Sequence, residues 1–215
     1  MELKLDHLGK PVVIASGMDL LGYLISESNW LALLKDSNKN YNPLIDFLQD
    51  FSRNLNSETE LPQIKLIASK LKIQSAKVTK LLQSMYNDIW DLNNESPELF
   101  KVENRYRYDF SFYDNHLDRQ WFTLWLPNNL VVGNGFYWHF LEGKFSTSAF
   151  YIYEINHKYK NGELTARVIC KSSQYNKYKT LLYEKAAFLN LLTPEDQYRK
   201  KDDELREIIL SKVKL

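Results

Sequence analysis

A run of polar and basic residues between Lys72 and Gln83 has side chains that suit contact with nucleic acid. Glutamine can pair bidentately with adenine, lysine can reach guanine, and serine and threonine hydroxyls suit a base edge or a phosphate. The stretch from Pro62 to Tyr86 holds five lysines and no acidic residue, although the whole chain has a net charge of only +1. A basic segment on an otherwise acidic chain favours a local nucleic-acid contact. The candidate contact residues are Lys72, Gln74, Ser75, Ala76, Lys77, Thr79, Lys80 and Gln83.

Apolar residues at helical spacing predict that these side chains lie on two helices joined by a tight turn. Two such helices need a small residue where they approach most closely, and Ala68 occupies that place. Ile73 is expected to plug the turn, and the hydroxyl of Ser75 is expected to cap the second helix. The residues expected to face inward are Ile64, Ile67, Ala68 and Leu71 in the first helix, and Val78, Leu81 and Leu82 in the second.

This segment, Ile64 to Leu82, resembles the helix-turn-helix motif of bacterial regulators. The resemblance implies that the second helix enters the major groove of double-stranded DNA, with its amino-terminal residues at the base edges. It implies a transcriptional regulator or a mobile-element accessory factor, and many such proteins bind as homodimers. One position departs from the motif, because Lys72 stands where glycine is usual and where the backbone needs a positive φ.

A protein-interaction module is the main alternative, since pairs of helices with a tight turn also occur in proteins that bind no DNA. In that case the chain would be a phage-defence, toxin-neutralising or conjugation accessory protein. The aromatic-rich second half then offers a contact surface for a protein partner.

A third hypothesis rests on Glu142-Gly143-Lys144, which is similar to the Glu-x-Lys element of metal-dependent nucleases. With an upstream aspartate the carboxylates would hold Mg²⁺, and the lysine would activate water. The same residues also suit a tight hairpin turn, which is a poor place to hold metal ligands. The upstream candidates are Asp109, Asp114 and Asp118.

Other chemistry-bearing residues form no recognisable set. His116, His139 and His157 have no cysteine at zinc spacing, and the single Cys170 is expected to be buried filling. No glycine-rich phosphate loop or nucleophile motif is present. The sequence therefore predicts no catalytic residue, no metal and no cofactor.

The strand from Arg105 to Tyr108 alternates basic and aromatic residues. Such a strand can stack single-stranded nucleic acid, or its arginines can contact phosphates beside the helix-turn-helix. The structural alternative is that the aromatic residues pack in the core while the arginines extend to the surface.

The elements that position these residues follow from the spacing of apolar residues and from turn formers. A short hairpin is expected near residues 2–15, then helices from Met18, from a Ser28 cap, and from an Asn42 cap followed by Pro43. After residue 96 the period becomes two, which indicates about five antiparallel strands. The expected strands are Tyr106 to Phe112, Trp121 to Leu126, Phe136 to Leu141, and Tyr151 to Tyr159 paired through an Asn161-Gly162 turn with Leu164 to Lys171.

The sequence thus predicts an α+β protein with a helical amino-terminal half, then an antiparallel sheet or small barrel with flanking carboxy-terminal helices. The expected parts are residues 1–96, 97–192 and 193–215. A helix from Lys177 to Leu191 closes the second, and a charged helix from Thr193 forms the third. No apolar run is long enough to cross a bilayer and only one cysteine is present, so a cytoplasmic location is expected.

Overall fold

The structure is a computed structural model in which the chain forms two compact units, Met1–Ser173 and Gln174–Leu215. The boundaries expected after residues 96 and 192 fall inside these units. The residues that the structure describes are 2–5, 11–35, 40–56, 59–114, 119–127, 129–145, 147–160, 163–172, 177–193, 196 and 202–212.

The first unit begins with a hairpin and continues with helices, as expected. Strands β1 (Glu2–Leu5) and β2 (Pro11–Ile14) pair antiparallel. The helices are α1 (Gly17–Ser26), α2 (Asn42–Arg53), α3 (Ile64–Leu71) and α4 (Ser75–Glu95), with 3-10 helices at Ser28–Leu34 and Pro97–Phe100.

The helix caps differ from the predicted ones. Ser16 caps α1 in a reciprocal pair of hydrogen bonds with Asp19, a capping box. Ser28 is instead the first residue of a 3-10 helix, and its hydroxyl lies 2.8 Å from that of Ser52. Asn42 is the first residue of α2 rather than its cap, because Tyr41 holds the cap position. The spacing of apolar residues predicts the helices themselves. The identity of each cap residue depends on local backbone geometry, which that spacing does not determine.

The sheet is mixed, so the prediction of a purely antiparallel sheet is wrong. Its strands are β3 (Tyr106–Tyr113), β4 (Gln120–Leu126), β5 (Gly135–Tyr137), β6 (Ala149–Lys160) and β7 (Glu163–Ser172). Their order is β4-β3-β7-β6-β5, and β3 runs parallel to β7 while the other neighbours are antiparallel. Alternating apolar residues indicate a strand but not its neighbours or its direction, which explains the error.

The sheet is curled. Phe110 on β3 and Phe136 on β5 have ring centroids 4.7 Å apart, although three strand spacings separate β3 from β5 in the hydrogen-bonded order. The β6–β7 hairpin has the predicted pairing, with Lys160 opposite Glu163 and a bulge between Ile152 and Glu154. Its Asn161-Gly162 turn lies outside the described residues.

The structure of residues 139–143 differs from the prediction in two ways. They form a 3-10 helix, so the predicted strand from Phe136 to Leu141 ends at Tyr137 and the predicted tight hairpin turn is absent there. Phe140, Leu141 and Gly143 are buried in this 3-10 helix. Their burial places the segment in the core of the unit.

One aromatic-rich core holds the helices and the sheet of the first unit together. Trp90 of α4 lies 5.0 Å from Phe122 of β4, and Tyr86 lies 4.6 Å from Phe140, measured between ring centroids. Asn93, also on α4, is buried beside the sheet and hydrogen-bonds the backbone of Thr123 in β4. The long α4 is therefore fixed at its carboxyl end by the sheet, which determines where its amino end projects.

The second unit has its own small core. Helices α5 (Lys177–Phe188) and α6 (Asp202–Lys212) are its described helices, close to the two predicted ones. Thr193 and Asp196 exchange the hydrogen bonds of a capping box, which agrees with the predicted helix start there. The buried residues of this core are Ala186, Leu192, Leu205 and Ile209.

Candidate nucleic-acid interface

The turn between α3 and α4 has the geometry of a helix ending in a left-handed residue. Lys72 has φ 55° and ψ 40°, so the positive φ expected at this position is present without a glycine. The amide of Ile73 donates to the carbonyl of Ala68 at 3.0 Å, and the amide of Lys72 donates to that of Ser69 at 3.2 Å. These two bonds form a Schellman motif, which satisfies carbonyls at the end of α3 and reverses the chain sharply.

The start of α4 differs from the prediction. Gln74 is the cap residue and makes no side-chain capping bond, so the prediction that Ser75 caps α4 is wrong. Ser75 is instead the first residue of the helix. A capping side chain belongs to the preceding residue, so the Ser75 hydroxyl does not accept a hydrogen bond from the first-turn amides. The first turn of α4 also contains no acidic residue. The positive end of the helix dipole is therefore offset by neither a side-chain cap nor a local carboxylate.

The predicted inner faces of the helix pair are confirmed. Ile67 and Ala68 of α3 are buried, as are Val78 and Leu82 of α4. Ile73 packs partly buried against the same core, which agrees with its expected place in the turn. The apolar spacing therefore orients both helices as predicted and leaves the lysines outside.

Most of the candidate contact residues reach solvent, but not all do so equally. Lys72, Gln74, Ala76, Lys77 and Lys80 are exposed, whereas Ser75 and Gln83 are half-buried. Thr79 is also half-buried, since it faces the first residue of α1. A Cβ built on Gly17 would lie 2.9 Å from the Thr79 hydroxyl oxygen, and that hydroxyl donates to the Ser75 carbonyl at 3.4 Å.

The basic surface formed by the five lysines of α3, the turn and α4 is exposed. Among the residues that the structure describes, none of the five has a carboxylate partner within ion-pair distance. The amino group of Lys70 lies 5.3 Å from the ring centre of Phe47. The same face of α4 becomes acidic further along, where Asp91 and Glu95 are exposed. The basic surface thus ends about halfway along α4, and its members are Lys65, Lys70, Lys72, Lys77 and Lys80.

The Glu142-Gly143-Lys144 motif has a structural role at the contact of the 3-10 helix with α1 and α4. Glu142 accepts from the Tyr23 hydroxyl at 3.3 Å and lies 3.0 Å from Nδ1 of His139. Gly143 is required because a Cβ there would lie 2.4 Å from the ring of Tyr86. Lys144 donates to Asn87 at 3.0 Å, and burial lowers the pKa of its ammonium group.

The carboxylates of the nuclease hypothesis have separate partners. Asp109 accepts from Arg107 at 3.0 Å and from the Thr123 hydroxyl at 2.9 Å, while Glu142 serves Tyr23 and His139. Within the described part of the chain, no group of three histidine, cysteine or acidic residues could hold a metal ion. His116 and Asp118 lie outside the described residues. The residues that the structure describes therefore give the nuclease hypothesis no support.

The remaining candidates have clear positions. Cys170 is buried in the core, as predicted, and burial raises its pKa to about 12. In the Arg105 to Tyr108 strand, Tyr108 is buried as the structural alternative requires, but Tyr106 is exposed. Arg107 forms ion pairs with Glu98 and Asp109.

No protein-family model matches the chain, and no curated protein or solved structure is significantly similar to it. None of the described helices combines the length and the apolar character needed to span a bilayer.

Proposed function

We propose that the chain binds double-stranded DNA through the basic surface of α3 and α4, as a transcriptional regulator or a mobile-element accessory factor. The observation that carries the proposal is the exposure of five lysines, without a carboxylate among them, on two helices joined by a sharp turn. Exposed cations that are not paired are free to replace counterions on DNA phosphates, which is the main source of affinity for DNA.

The start of α4 supports a direct approach to the duplex. Its first-turn amides have no side-chain cap, and such amides together with the helix dipole attract phosphate. In a docked helix of this kind the amino-terminal side chains reach base edges. Gln74, Lys77 and Lys80 are exposed there and would read bases, while Lys72 in the turn would contact the backbone.

The geometry also limits the proposed contact. Thr79 faces α1, so its hydroxyl would contribute less to binding than those of its neighbours. The acidic residues Asp91 and Glu95 would repel phosphates, so only the first half of α4 would lie in the groove. A homodimer would present two such helices to two half-sites one helical turn apart.

The test is fluorescence anisotropy of labelled duplex DNA of random sequence, titrated with the full chain over a salt series. If about four phosphates are neutralised, the log–log slope is roughly −3.6. Lys77→Glu with Lys80→Glu should reduce the affinity more than tenfold and flatten the slope. Lys101→Glu with Lys185→Glu changes the net charge equally at two other exposed positions and should have a much smaller effect.

One observation favours the alternative of a protein partner. Leu66 lies on the outer side of α3 with half of its surface exposed, and Leu61 is also exposed nearby in sequence. If α3 docks on a protein, Leu66→Ala should abolish capture of that partner and leave duplex binding unchanged.

Absence of duplex binding at low salt would refute the DNA proposal. An equal loss of affinity in the two charge-reversal variants would also refute it.

A further inference from the structure

The sheet of the first unit has a second face, formed by the side chains that alternate with those of the aromatic core; Ser111 on this face is itself buried. This outer face is defined here by Ser111 and Tyr113 of β3, Trp121 of β4, Arg167 of β7 and Lys158 of β6. The strand register places Trp121 opposite Ser111, and Arg167 opposite Asp109. None of these residues belongs to α3 or α4, so the outer face is independent of the proposed duplex interface.

A flat stacked surface lies at the β4 side of the outer face. The guanidinium of Arg119 lies 4.5 Å from the ring centre of Tyr113 and 5.1 Å from that of Trp121. Its Nη2 donates to the Ser111 hydroxyl at 2.9 Å, which fixes the plane of the group. Trp121 nevertheless remains 51% exposed. An exposed indole beside a fixed guanidinium is a surface on which a nucleic-acid base stacks.

A cationic recess lies next to this stacked surface. It has a volume of about 350 Å³ and is lined among others by Asp109, Ser111, Trp121, Lys158 and Arg167. Asp109 is the one carboxylate among the described residues of this lining, and it shares Arg107 with Glu98, so the two cations Lys158 and Arg167 outnumber it. Lys158 and Arg167 are exposed, and neither has a carboxylate partner within the described part of the chain. The recess therefore has a surplus of positive charge that suits phosphate.

A second exposed aromatic ring lies beyond the recess, on β6. Tyr153 of β6 is partly exposed, and the amino group of Lys171 lies 3.4 Å from its ring centre. Glu154, the residue after Tyr153, lies level with Trp121 in the sheet. It pairs with β7, and the register continues through β3 to Trp121 on β4. Three strand spacings separate β4 from β6, which is about 14 Å. Stacked nucleotides rise about 3.4 Å each, so this span fits several linked nucleotides better than one.

We propose that the outer face of the sheet binds single-stranded nucleic acid. Bases stack on Trp121 with Arg119 and on Tyr153, and phosphates of the same strand contact Arg167 and Lys158 in the recess. Stacking of this kind tolerates any base, so the binding depends little on sequence.

The first test uses the full chain and a fluorescein-labelled oligothymidylate of about 12 nucleotides, a strand that does not pair with itself. Trp121→Ala should weaken binding about tenfold, the usual loss for one stacked base. Tyr159→Ala removes another exposed aromatic side chain from the same sheet and should have no effect, because Tyr159 lies at the hairpin end. Circular dichroism spectra confirm that both variants are folded. Equal binding by the wild type and Trp121→Ala would overturn the proposal.

The second test addresses the cations. Lys158→Ala with Arg167→Ala should flatten the log–log salt slope by roughly 1.4, the value for two phosphate contacts on a single strand. Lys101→Ala with Lys185→Ala removes the same charge elsewhere and should leave the slope nearly unchanged. Equal slopes for the two double variants would overturn the phosphate assignment.

Competition experiments distinguish binding of a single-stranded nucleic acid from binding of a free nucleotide, and duplex binding by the Trp121 variant distinguishes the outer face from the duplex interface. Unlabelled oligothymidylate should displace the probe, whereas thymidine monophosphate at the same nucleotide concentration should not. Displacement by the monophosphate would replace the proposal with a free-nucleotide site. Trp121→Ala should bind duplex DNA as the wild type does. The single-strand proposal and the duplex proposal can therefore fail independently, and the two failures can be told apart.

Discussion

The backbone of Lys72 adopts a conformation that glycine usually supplies. Its φ of 55° lies in the left-handed region, and the Schellman bonds of the turn require that conformation. For a residue with a Cβ this conformation costs about 1 kcal/mol. The exposed Lys72 ammonium also belongs to the basic surface. The same residue therefore lowers stability and adds a positive charge at the turn, and the two effects can be separated.

Lys72→Gly should raise stability and lower affinity for duplex DNA. Removing the Cβ relieves about 0.5–1 kcal/mol of strain, which corresponds to a rise in Tm of about 1–4 °C for a chain of this size. Loss of one cation should weaken duplex binding several-fold and make the salt slope shallower by roughly 0.9. Calorimetry and anisotropy measure the two effects.

Asn104→Gly is a matched control for this prediction. Asn104 has a φ of 58° and lies before β3, so glycine there should change stability with no effect on DNA binding. If Lys72→Gly were destabilising, the left-handed turn described here would be wrong. If it left the salt slope unchanged, Lys72 would have no phosphate contact.

At the scale of elements, Asn93 joins the longest helix to the edge of the sheet. Its amide nitrogen donates to the Thr123 carbonyl at 2.9 Å, and its oxygen accepts from the Thr123 amide at 2.7 Å. β4 is an edge strand, so the backbone groups of Thr123 have no neighbouring strand on that side. One side chain therefore replaces a strand partner and sets the position of α4 relative to the sheet.

Asn93→Ala should destabilise the first unit although alanine is the better helix former. The change leaves a buried amide and a buried carbonyl without partners, at about 1–3 kcal/mol each. The free energy of unfolding measured by urea denaturation should thus fall by about 2–6 kcal/mol. Asn94→Ala, at the exposed neighbouring position, should stay within about 0.5 kcal/mol of the wild type. Equal stability of the two variants would mean that Asn93 is not the link between α4 and β4.

Elements defined by local periodicity could be predicted from the sequence, and contacts between distant elements could not. The inner faces of α3 and α4 and the β6–β7 hairpin follow from residues close together in the chain. The parallel pairing of β3 with β7 and the bond from Asn93 to Thr123 join distant segments, and an alternating strand pattern is compatible with several sheet orders.

In the candidate site, too, features set by local spacing could be predicted from the sequence, and features set by contacts between distant elements could not. The exposure of the five lysines follows from helical spacing alone. The orientation of Thr79 toward Gly17 depends on where α1 packs, and the outer face of the sheet depends on the strand order. Trp121 and Arg167 are far apart in the sequence, and no local pattern indicates that they line one recess.

The two units differ greatly in the size of their cores. The first has a large aromatic core, whereas the described core of the second consists of four buried residues with partly buried neighbours. A unit of this size buries too little apolar surface to be more than marginally stable. All five tryptophans lie within residues 1–173, so their fluorescence reports on the unfolding of the unit that contains them.

Heating should therefore unfold the second unit before the first. Far-UV circular dichroism should lose part of its helical signal at a temperature where tryptophan emission has not yet changed, because separate cores need not unfold together. A chain that ends at Ser173 should lack this early change and keep the midpoint of the fluorescence transition. Coincident transitions in the full chain, together with a lower fluorescence midpoint in the shortened chain, would mean that residues 174–215 stabilise the first unit. Asn93→Ala should lower the fluorescence midpoint and leave the early change where it is, since the bonds from Asn93 to Thr123 join two elements of the first unit.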